Sequence, residues 1–203
     1  MRVVATYWGA WILACGVAQA IAAEDPETIR AQEIVAQRCY RCHGETGMST
    51  TSLFPKLAGQ NVEYLTKQMF NFQTRARRSL VMEEQIAGLS GNDIEALARY
   101  FSMQESAPDP AADLSLSARG RALYYEGIPD KGVSPCVSCH GPTARGAQML
   151  PRLAGQHASY IERQLHAFVA RSRANDHYRM HMIARGLSAE DIRAVAHYLS
   201  GLE

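Results

Sequence analysis

The sequence has almost no excess of charge of either sign, and this balance argues against one broad class of function. Its 203 residues include 21 lysines and arginines and 20 aspartates and glutamates, for a formal net charge of +1. A protein that binds nucleic acid usually presents a basic patch large enough to neutralise several phosphates. The chain offers one short basic cluster, Arg75, Arg77 and Arg78. The sequence therefore gives no support for nucleic-acid binding.

Long apolar runs are also scarce, and the most prominent one lies at the N-terminus. Arg2 precedes an apolar run, Val3 to Val17, which small residues then follow. A membrane-spanning helix needs roughly 20 apolar residues, so the run is too short for an anchor. It predicts a cleaved Sec-type signal peptide over residues 1–23 and a periplasmic location. Cys15 loosely fits a lipoprotein cleavage site, so a lipid anchor with peripheral membrane association is the minor alternative.

Cysteine is rare outside two short motifs. Once the signal peptide is removed, all four remaining cysteines belong to Cys39-Tyr40-Arg41-Cys42-His43 and Cys136-Val137-Ser138-Cys139-His140, and none is left for a structural disulfide. In C-x-x-C-H, the two thiols add to the vinyl groups of a haem and the histidine binds its iron. The sequence therefore predicts two covalently bound haem c groups. They are attached at Cys39, Cys42, Cys136 and Cys139, with His43 and His140 as proximal ligands.

Other uses of a C-x-x-C pair fit this chain less well. A thioredoxin-like dithiol needs a βαβ context, which the sequence does not offer. A four-cysteine zinc site normally brings its two cysteine pairs closer together in sequence than these two motifs are. Both pairs are also followed at once by a histidine, which neither alternative requires. We therefore interpret both motifs as sites of haem attachment.

The similarity between the two halves extends well beyond the cysteines. Pro55-Lys-Leu-Ala-Gly-Gln60 matches Pro151-Arg-Leu-Ala-Gly-Gln156, and further matches follow at Tyr64 to Gln68 against Tyr160 to Gln164 and at Leu89 to Ile94 against Leu187 to Ile192. Two copies are too few for a solenoid, so two small globular domains are expected. The proline-interrupted linker Ser106-Ala-Pro-Asp-Pro110 separates them. We place domain 1 at residues 24–106 and domain 2 at residues 107–203.

The secondary structure is predicted to be all-α. A helix from Pro26 to Arg38, with Ile29, Ile34 and Val35 as apolar positions, leads to the first motif, and Ser117 to Glu126 is its counterpart. Gly120 and Tyr124 share one face of that second helix, where another helix can cross closely. Ser90 and Ser188 are expected N-caps, with Asp93 and Asp191 three residues later.

Each iron also needs a sixth ligand, for which the repeat offers an equivalent pair of methionines. Met82 precedes Leu89 by the same spacing as Met180 precedes Leu187. We predict both as distal axial ligands, because a thioether stabilises ferrous iron and raises the potential relative to a second imidazole. At the second site Met182, His177 and His181 are alternatives. The remaining histidines, His157, His166 and His197, are interpreted as surface or packing residues.

The two halves differ in charge. Residues 24–106 hold 9 basic and 11 acidic residues, whereas residues 107–203 hold 11 basic and 9 acidic residues. Such a dipole can orient the molecule towards two different partners, although charge at this level commonly serves solvation alone. The Arg75, Arg77 and Arg78 cluster is interpreted as a solvated loop or as a neighbour of the haem propionates.

Taken together, these motifs resemble those of the dihaem cytochrome c4 family over essentially the whole mature chain. The resemblance implies two class I cytochrome c domains that pack face to face, each around one covalent haem. It further implies that the carbonyls of Pro55 and Pro151 accept hydrogen bonds from the proximal imidazoles. One departure from the repeat is Glu83-Glu84, which follows the first methionine.

The resemblance implies periplasmic electron transfer rather than enzymatic catalysis. We expect one-electron transfer between a cytochrome bc complex as donor and a haem-copper terminal oxidase, or another periplasmic oxidoreductase, as acceptor. A second hypothesis makes the chain the dihaem subunit of a larger enzyme, such as a flavocytochrome c sulfide dehydrogenase. A third is an enzyme with one open iron, which Met82 and Met180 argue against.

Overall fold

The computed structural model describes residues 25–109 and 113–203, and within them regular structure is helical. The predicted signal peptide, with Cys15, lies outside the described residues. Two isolated antiparallel bridges, Ile128 with Val133 and Ala147 with Leu150, are the extended pairings of the described part. None of the helices in this part is long and apolar enough to cross a membrane. The all-α prediction is confirmed.

Domain 1 consists of five helices. Helix α1 (Pro26–Ile34) continues through a π-helical turn (Val35–Cys39) into α2 (Tyr40–His43), followed by α3 (Val62–Gln73), α4 (Leu80–Ile86) and α5 (Gly91–Ser102). The predicted helix start at Pro26 is confirmed, as proline favours the first helical turn. A π-helical turn often marks a functional position, and this one ends at the first cysteine of the motif.

Domain 2 repeats this plan with two additional short segments. Its elements are a 3₁₀ turn (Leu114–Leu116), α6 (Ser117–Glu126), a second 3₁₀ turn (Pro129–Lys131), α7 (Val137–His140), α8 (Ala158–Val169), α9 (Arg179–Ala184) and α10 (Ala189–Ser200). The predicted helix over Ser117 to Glu126 is confirmed. Unlike α1, α6 does not run directly into the motif, because the loop after Gly127 intervenes.

Each domain has its own hydrophobic core. In domain 1, α1 and α3 pack against α5, and in domain 2, α6 and α8 pack against α10. Ile34 and Val35 are buried in the first core as predicted. Ile29, the third apolar position of that helix, is 44% exposed and lies outside the core. The side chains that face α5 from α1 lie three and four residues apart, and Ile29 falls outside that stripe.

The contact between α6 and α10 is unusually close, because Gly120 lies at the crossing. A Cβ at this position would lie 2.2 Å from the carbonyl oxygen of Ala194 and 2.5 Å from the Cβ of Tyr198. Tyr124, on the same face of α6, is fully buried, and its ring packs against that of Tyr198. The predicted close helix crossing is confirmed.

Both closing helices begin with the predicted capping box. The Ser90 hydroxyl accepts a hydrogen bond from the backbone N–H of Asp93, whose carboxylate accepts one from the N–H of Ser90. Ser188 and Asp191 form the same pair at α10. In domain 2, the buried Asp191 also accepts a 2.7 Å hydrogen bond from Arg119 on α6. The cap of α10 therefore also fixes the α6–α10 contact.

Replacing Asp191 by asparagine is expected to lower the free energy of unfolding by about 2 kcal/mol at pH 7. Burial opposes ionisation of Asp191, but hydrogen bonds from Arg119 and Ser188 outweigh it and lower the pKa from 3.8 to about 2. A carboxyl pKa that is lower in the folded state stabilises the fold above pH 3.8, and this contribution is lost as the pH falls towards 2. Urea unfolding of the variant and of the unchanged protein, at pH 7 and near pH 2, measures the effect.

The matched control is Glu190→Gln, since exposed Glu190 pairs with the same Arg119 at 2.9 Å. An exposed ion pair contributes only about 0 to 1 kcal/mol. The free energy of unfolding of the control variant should therefore remain close to that of the unchanged protein at both pH values. If Asp191→Asn lost as much free energy of unfolding at pH 2 as at pH 7, ionisation of Asp191 would not be the cause of the loss.

Candidate haem-binding sites and the interface between them

The two C-x-x-C-H motifs form short helices that present a buried histidine. His43 closes α2 and His140 closes α7, each followed by a glycine with positive φ that turns the chain. The Nδ1 atom of His43 lies 2.9 Å from the carbonyl oxygen of Pro55, and that of His140 lies 3.1 Å from the carbonyl oxygen of Pro151. Both predicted proline contacts are confirmed.

These contacts fix which ring nitrogen is available to a metal. A carbonyl oxygen can only accept, so Nδ1 of His43 and of His140 carries the proton and Nε2 keeps its lone pair. Burial lowers the pKa of both imidazoles, with the proline hydrogen bond acting in the opposite direction. A neutral, oriented imidazole with Nε2 free is what a proximal haem ligand requires. Both sites therefore fit haem iron.

The cysteines of the motifs lack the character of a redox-active dithiol. Burial raises the pKa of Cys39 to about 11, and burial likewise raises that of Cys136 to about 11. Reactive cysteines instead have a depressed pKa and an electropositive, accessible setting. The two cysteine pairs also lie on helices of different domains. The structure thus favours neither a thioredoxin-like pair nor one zinc site made from all four cysteines.

The two predicted distal ligands occupy equivalent places. Met82 lies on α4 and Met180 on α9, and each is partly buried against the hydrophobic core of its own domain. The helix that carries Met82 begins at Ser79, whose hydroxyl accepts a hydrogen bond from the Met82 N–H at 3.4 Å. The N–H of Met180 donates instead to the carboxylate of Asp176 at 2.7 Å.

The alternative ligands at the second site are placed less favourably. His181 is buried, but its Nδ1 lies 3.0 Å from the Phe168 carbonyl oxygen and its Nε2 accepts a hydrogen bond from Arg171 at 3.2 Å. Both ring nitrogens are therefore engaged. Met182 is 53% exposed, and His177 is also on the surface. Of these side chains, Met180 alone is a free thioether held against the core.

The repeated P-x-L-A-G-Q segments contact each other across the interface between the domains. The Gln60 side chain donates to the Arg152 carbonyl at 2.9 Å and accepts from the Arg152 N–H at 2.7 Å. Gln156 makes the same two bonds with Lys56, both at 2.8 Å. Each glutamine thus binds the backbone of the opposite copy. The two domains are related by an approximate twofold arrangement, which these four bonds define.

The basic residues of these segments also cross the interface. The buried Lys56 ammonium donates to the Gly155 carbonyl at 2.8 Å. Its counterpart Arg152, likewise buried, donates to the carbonyls of Gly59 at 3.1 Å and Ala58 at 2.6 Å. Burial lowers the pKa of Lys56 and that of Arg152. Both cations are therefore satisfied chiefly by backbone carbonyls of the other domain.

His157 is buried in this interface, so of the two roles expected for it, surface or packing residue, the structure shows the packing role. Its Nε2 lies 3.0 Å from the Ser49 carbonyl oxygen of domain 1, and its Nδ1 lies 3.2 Å from the Asp109 carboxylate in the linker. Asn61, its counterpart in the repeat, donates to the carbonyl of Arg145 at 3.1 Å. A histidine and an asparagine thus make equivalent contacts in the two copies.

Two arginines lie at the centre of the interface, and sequence reasoning did not place them there. Arg77 is not in a solvated loop, because its guanidinium reaches the α8 helix of the other domain, and Arg173 reaches α3 in return. The guanidinium groups stack on Phe72 and Phe168 of their own domains, with 4.7 Å and 4.6 Å from carbon to ring centroid. The acceptors are Gln68, Tyr160 and Gln164 for Arg77, and Gln164, Tyr64 and Gln68 for Arg173.

A signal for these residues was present in the sequence. Arg75-Ala-Arg77 recurs as Arg171-Ser-Arg173, at the same offset as the P-x-L-A-G-Q segments. The first arginine of each pair has a positive φ, 61° at Arg75 and 58° at Arg171, so the chain turns there and directs the second inward. Arg75 and Arg78 contact Glu83 at 3.1 Å each. Only those two members of the predicted basic cluster are exposed.

Comparison with known proteins agrees with the division into two haem-binding units. The family model described as Cytochrome c matches residues 117–203, and the one described as Cytochrome C oxidase, cbb3-type, subunit III matches residues 26–101. The prediction of two tandem cytochrome c domains is therefore confirmed. Such domains bind haem c covalently through their C-x-x-C-H motif.

Relatives that cover more than two thirds of the chain define the family. Cytochrome c4 of Thiocapsa roseopersicina is 40% identical over 81% of this chain and 86% of its own. The crystal structure of reduced recombinant cytochrome c4 from Pseudomonas stutzeri aligns with a TM-score of 0.82 at 36% identity, covering 89% of this chain and all of that one. A thiosulfate dehydrogenase electron acceptor of Thiomonas intermedia is 36% identical over 81% of this chain and 78% of its own. The chain belongs to the cytochrome c4 family of electron-transfer cytochromes.

Proposed function

We propose that this protein is a periplasmic dihaem electron carrier, with one haem c held by each domain. Cys39 and Cys42 attach the first haem, and Cys136 and Cys139 attach the second. His43 is the proximal ligand of the first iron. The repeated motif carries this proposal, since each copy presents a neutral imidazole whose Nε2 is free. When bound, haem c supplies a reversible one-electron couple at its iron.

Met82 and Met180 complete the two iron sites in this proposal. Both are partly buried thioethers at matching positions of the repeat. The ring nitrogens of His181 are already engaged, which supports Met180 over that histidine. A methionine on the distal side keeps each site six-coordinate and closed to exogenous ligands. The protein then exchanges electrons without binding a substrate at iron.

Arg77 and Arg173 are the residues that would neutralise the haem propionates. No carboxylate within the described ranges forms an ion pair with either guanidinium. Buried charges are normally paired, because an isolated one is costly to remove from water. The groups that surround them are tyrosine and glutamine side chains, which can also donate hydrogen bonds to acidic groups. Haem propionates beside these two guanidinium groups would therefore offset their buried charge and stabilise the interface.

The two domains offer different surfaces to redox partners. Beside Met82, Leu80 is 80% exposed and Val81 is 52% exposed. Beside Met180, the exposed Tyr178 and Met182 lie next to the exposed Arg179. A small interface with electrostatic complementarity suits transient electron transfer. We assign an acidic partner to domain 2 and a less charged partner to domain 1.

The physiological pathway in this proposal leads from a cytochrome bc complex to a haem-copper terminal oxidase. The alternative is service to a sulfur-oxidising enzyme, as a free acceptor or as a dihaem subunit like that of a flavocytochrome c sulfide dehydrogenase. The similarity to a protein named thiosulfate dehydrogenase electron acceptor favours this second role. Purification from native periplasm tests the subunit role, because a subunit remains in a stoichiometric complex whereas a carrier or a free acceptor is recovered alone.

The reduced holoprotein is expected to show no carbon monoxide difference spectrum. Two closed, methionine-ligated irons have no position for the gas, which an open or labile iron binds readily. The measurement compares the dithionite-reduced protein before and after addition of carbon monoxide. Prompt binding at one haem would contradict the carrier proposal, support a catalytic iron, and remove the corresponding methionine from the ligand set.

A further inference from the structure

The loops that precede the two methionines are constructed differently. The loop before Met180 is two residues longer than the one before Met82, counted from the preceding glutamine of each repeat. In the extra length, His177 and Tyr178 both have positive φ, at 58° and 61°. Two consecutive non-glycine residues in this region are strained and persist only where surrounding contacts hold them. The second methionine loop therefore depends on what lies around it.

Domain 1 supplies those surrounding contacts. The Lys67 ammonium on α3 donates to the Asn175 carbonyl at 2.5 Å, and the Asn175 side chain donates to Gln68 on the same helix at 3.0 Å. Asn175 immediately precedes Asp176, whose carboxylate accepts the Met180 N–H at 2.7 Å. A short series of contacts thus connects α3 of domain 1 to the backbone of Met180 in domain 2.

Electrostatics connect the same groups. The second carboxylate oxygen of Asp176 is buried and, within the part of the chain that the structure describes, has no hydrogen-bond partner. Burial lowers the pKa of Lys67, with Arg173 acting in the same direction and the Asp176 carboxylate in the opposite one. Lys67 is therefore close enough to Asp176 to interact with its charge. An unpaired buried carboxylate oxygen is best tolerated near such a cation.

The first methionine loop also crosses the interface, through Arg77, but in the described part of the chain it has no counterpart of the bond from Lys67 to Asn175. Arg163 occupies the position of Lys67 in the second copy, but it donates to the carbonyls of Ser52 and Leu53. Those residues lie near Pro55, on the histidine side of domain 1 rather than the methionine side. In domain 1, Ser79 caps the methionine helix from within the same domain. The contact from Lys67 to the second methionine loop therefore has no counterpart at the first loop among the described residues.

We propose that Lys67 of domain 1 is a positioning residue for Met180 of domain 2. The inference rests on the proposed ligation of the second iron by Met180. By holding Asn175, Lys67 keeps the Asp176 carboxylate in place as the acceptor of the Met180 N–H, and so keeps the Met180 thioether directed into its own domain. Loss of the Lys67 contact then weakens the distal ligand of the second haem and leaves that of the first unaffected.

Proton NMR of the ferrous holoprotein tests this inference directly, since each iron-bound methionine gives its own strongly upfield methyl resonance. Lys67→Met removes the donor and retains an apolar stem of similar length. We expect it to shift or broaden the Met180 resonance and to leave that of Met82 unchanged. The second site should also begin to bind carbon monoxide, which the unchanged protein excludes, because one charge-assisted hydrogen bond that holds the loop is lost. Lys67→Arg should restore both properties.

Arg163→Met is the matched control, because it removes an interdomain donor at the equivalent position of the repeat. It should leave the Met180 resonance unchanged. Identical Met180 resonances in Lys67→Met and in the unchanged protein would overturn the inference, and so would equal effects of the two substitutions on both methionines. Absence of a Met180 resonance from the unchanged holoprotein would instead refute the proposed ligation. The two failures are thus distinguishable.

Discussion

Replacing Met180 by alanine is expected to open the second haem iron to carbon monoxide and to lower its midpoint potential, while the first haem is unaffected. Alanine cannot reach the iron, so the site loses a ligand that stabilises the ferrous state. The reduced variant should then bind one carbon monoxide per protein, whereas the unchanged protein binds none. A carbon monoxide titration and a spectroelectrochemical titration measure the two effects.

The chain offers two matched controls for this substitution. Met82→Ala should produce the same change at the first haem, because Met82 is the counterpart of Met180 in the repeat. Met182→Ala should produce no change, since that side chain is 53% exposed and lies on the same short helix. Unchanged spectra and continued resistance to carbon monoxide in Met180→Ala would remove Met180 from the ligand set. His181 would then be the remaining candidate, and it would bind the iron only after breaking its hydrogen bonds with Arg171 and the Phe168 carbonyl.

The helical plan of the chain could be predicted from its sequence because local signals and tertiary packing agree. Pro26, Ser90 and Ser188 mark helix starts through the chemistry of their own side chains and of Asp93 and Asp191. Gly120 was informative because only a missing Cβ permits two backbones to approach so closely. The exposure of Ile29 could not be foreseen, as one apolar residue in a helix does not reveal which face meets a neighbour.

The interface was harder to predict than the iron sites. C-x-x-C-H specifies its chemistry in five consecutive residues, whereas Arg77 acquires its role only from α8 of the other domain. Repetition of the P-x-L-A-G-Q segments suggested a shared role but not that they contact each other. The functions of Gln60 and Gln156 follow from the approximate twofold arrangement, which is a property of how the domains pack. Sequence periodicity contains no direct information about that packing.

The asymmetries between the copies are what allow two similar modules to behave differently. Glu83 follows the first methionine, but Arg75 and Arg78 pair with it, so its charge is largely offset. One carboxylate oxygen of Asp176 accepts the Met180 N–H, and the other is buried without a hydrogen-bond partner in the described chain. A carboxylate near a haem stabilises ferric iron. The carboxylate is offset by two arginines at the first methionine, whereas at the second methionine it faces Lys67 of the other domain.

Replacing Gly120 by alanine is expected to destabilise domain 2 by about 3 kcal/mol, although this substitution in an exposed helix would be favourable by about 1 kcal/mol. The added Cβ would lie 2.2 Å from the Ala194 carbonyl oxygen, which is backbone and cannot rotate away. Helices α6 and α10 must then separate, which would loosen Tyr124 and the Arg119 contact with Asp191. Differential scanning calorimetry of the holoprotein should show a lower melting temperature for domain 2.

Gly91→Ala is the control for this experiment, because Gly91 is also helical and a Cβ added there would meet only the Phe70 ring, at an ordinary 3.8 Å. That variant should melt at the same temperature as the unchanged protein or slightly above it.

Gly120→Ala should also broaden the Met180 resonance less than Lys67→Met does, since α6 and α10 lie outside the contacts that join α3 to Asn175. Equal stability of Gly120→Ala and the unchanged protein would mean that α6 moves away from α10 at little cost. The close crossing would then not be what stabilises this domain.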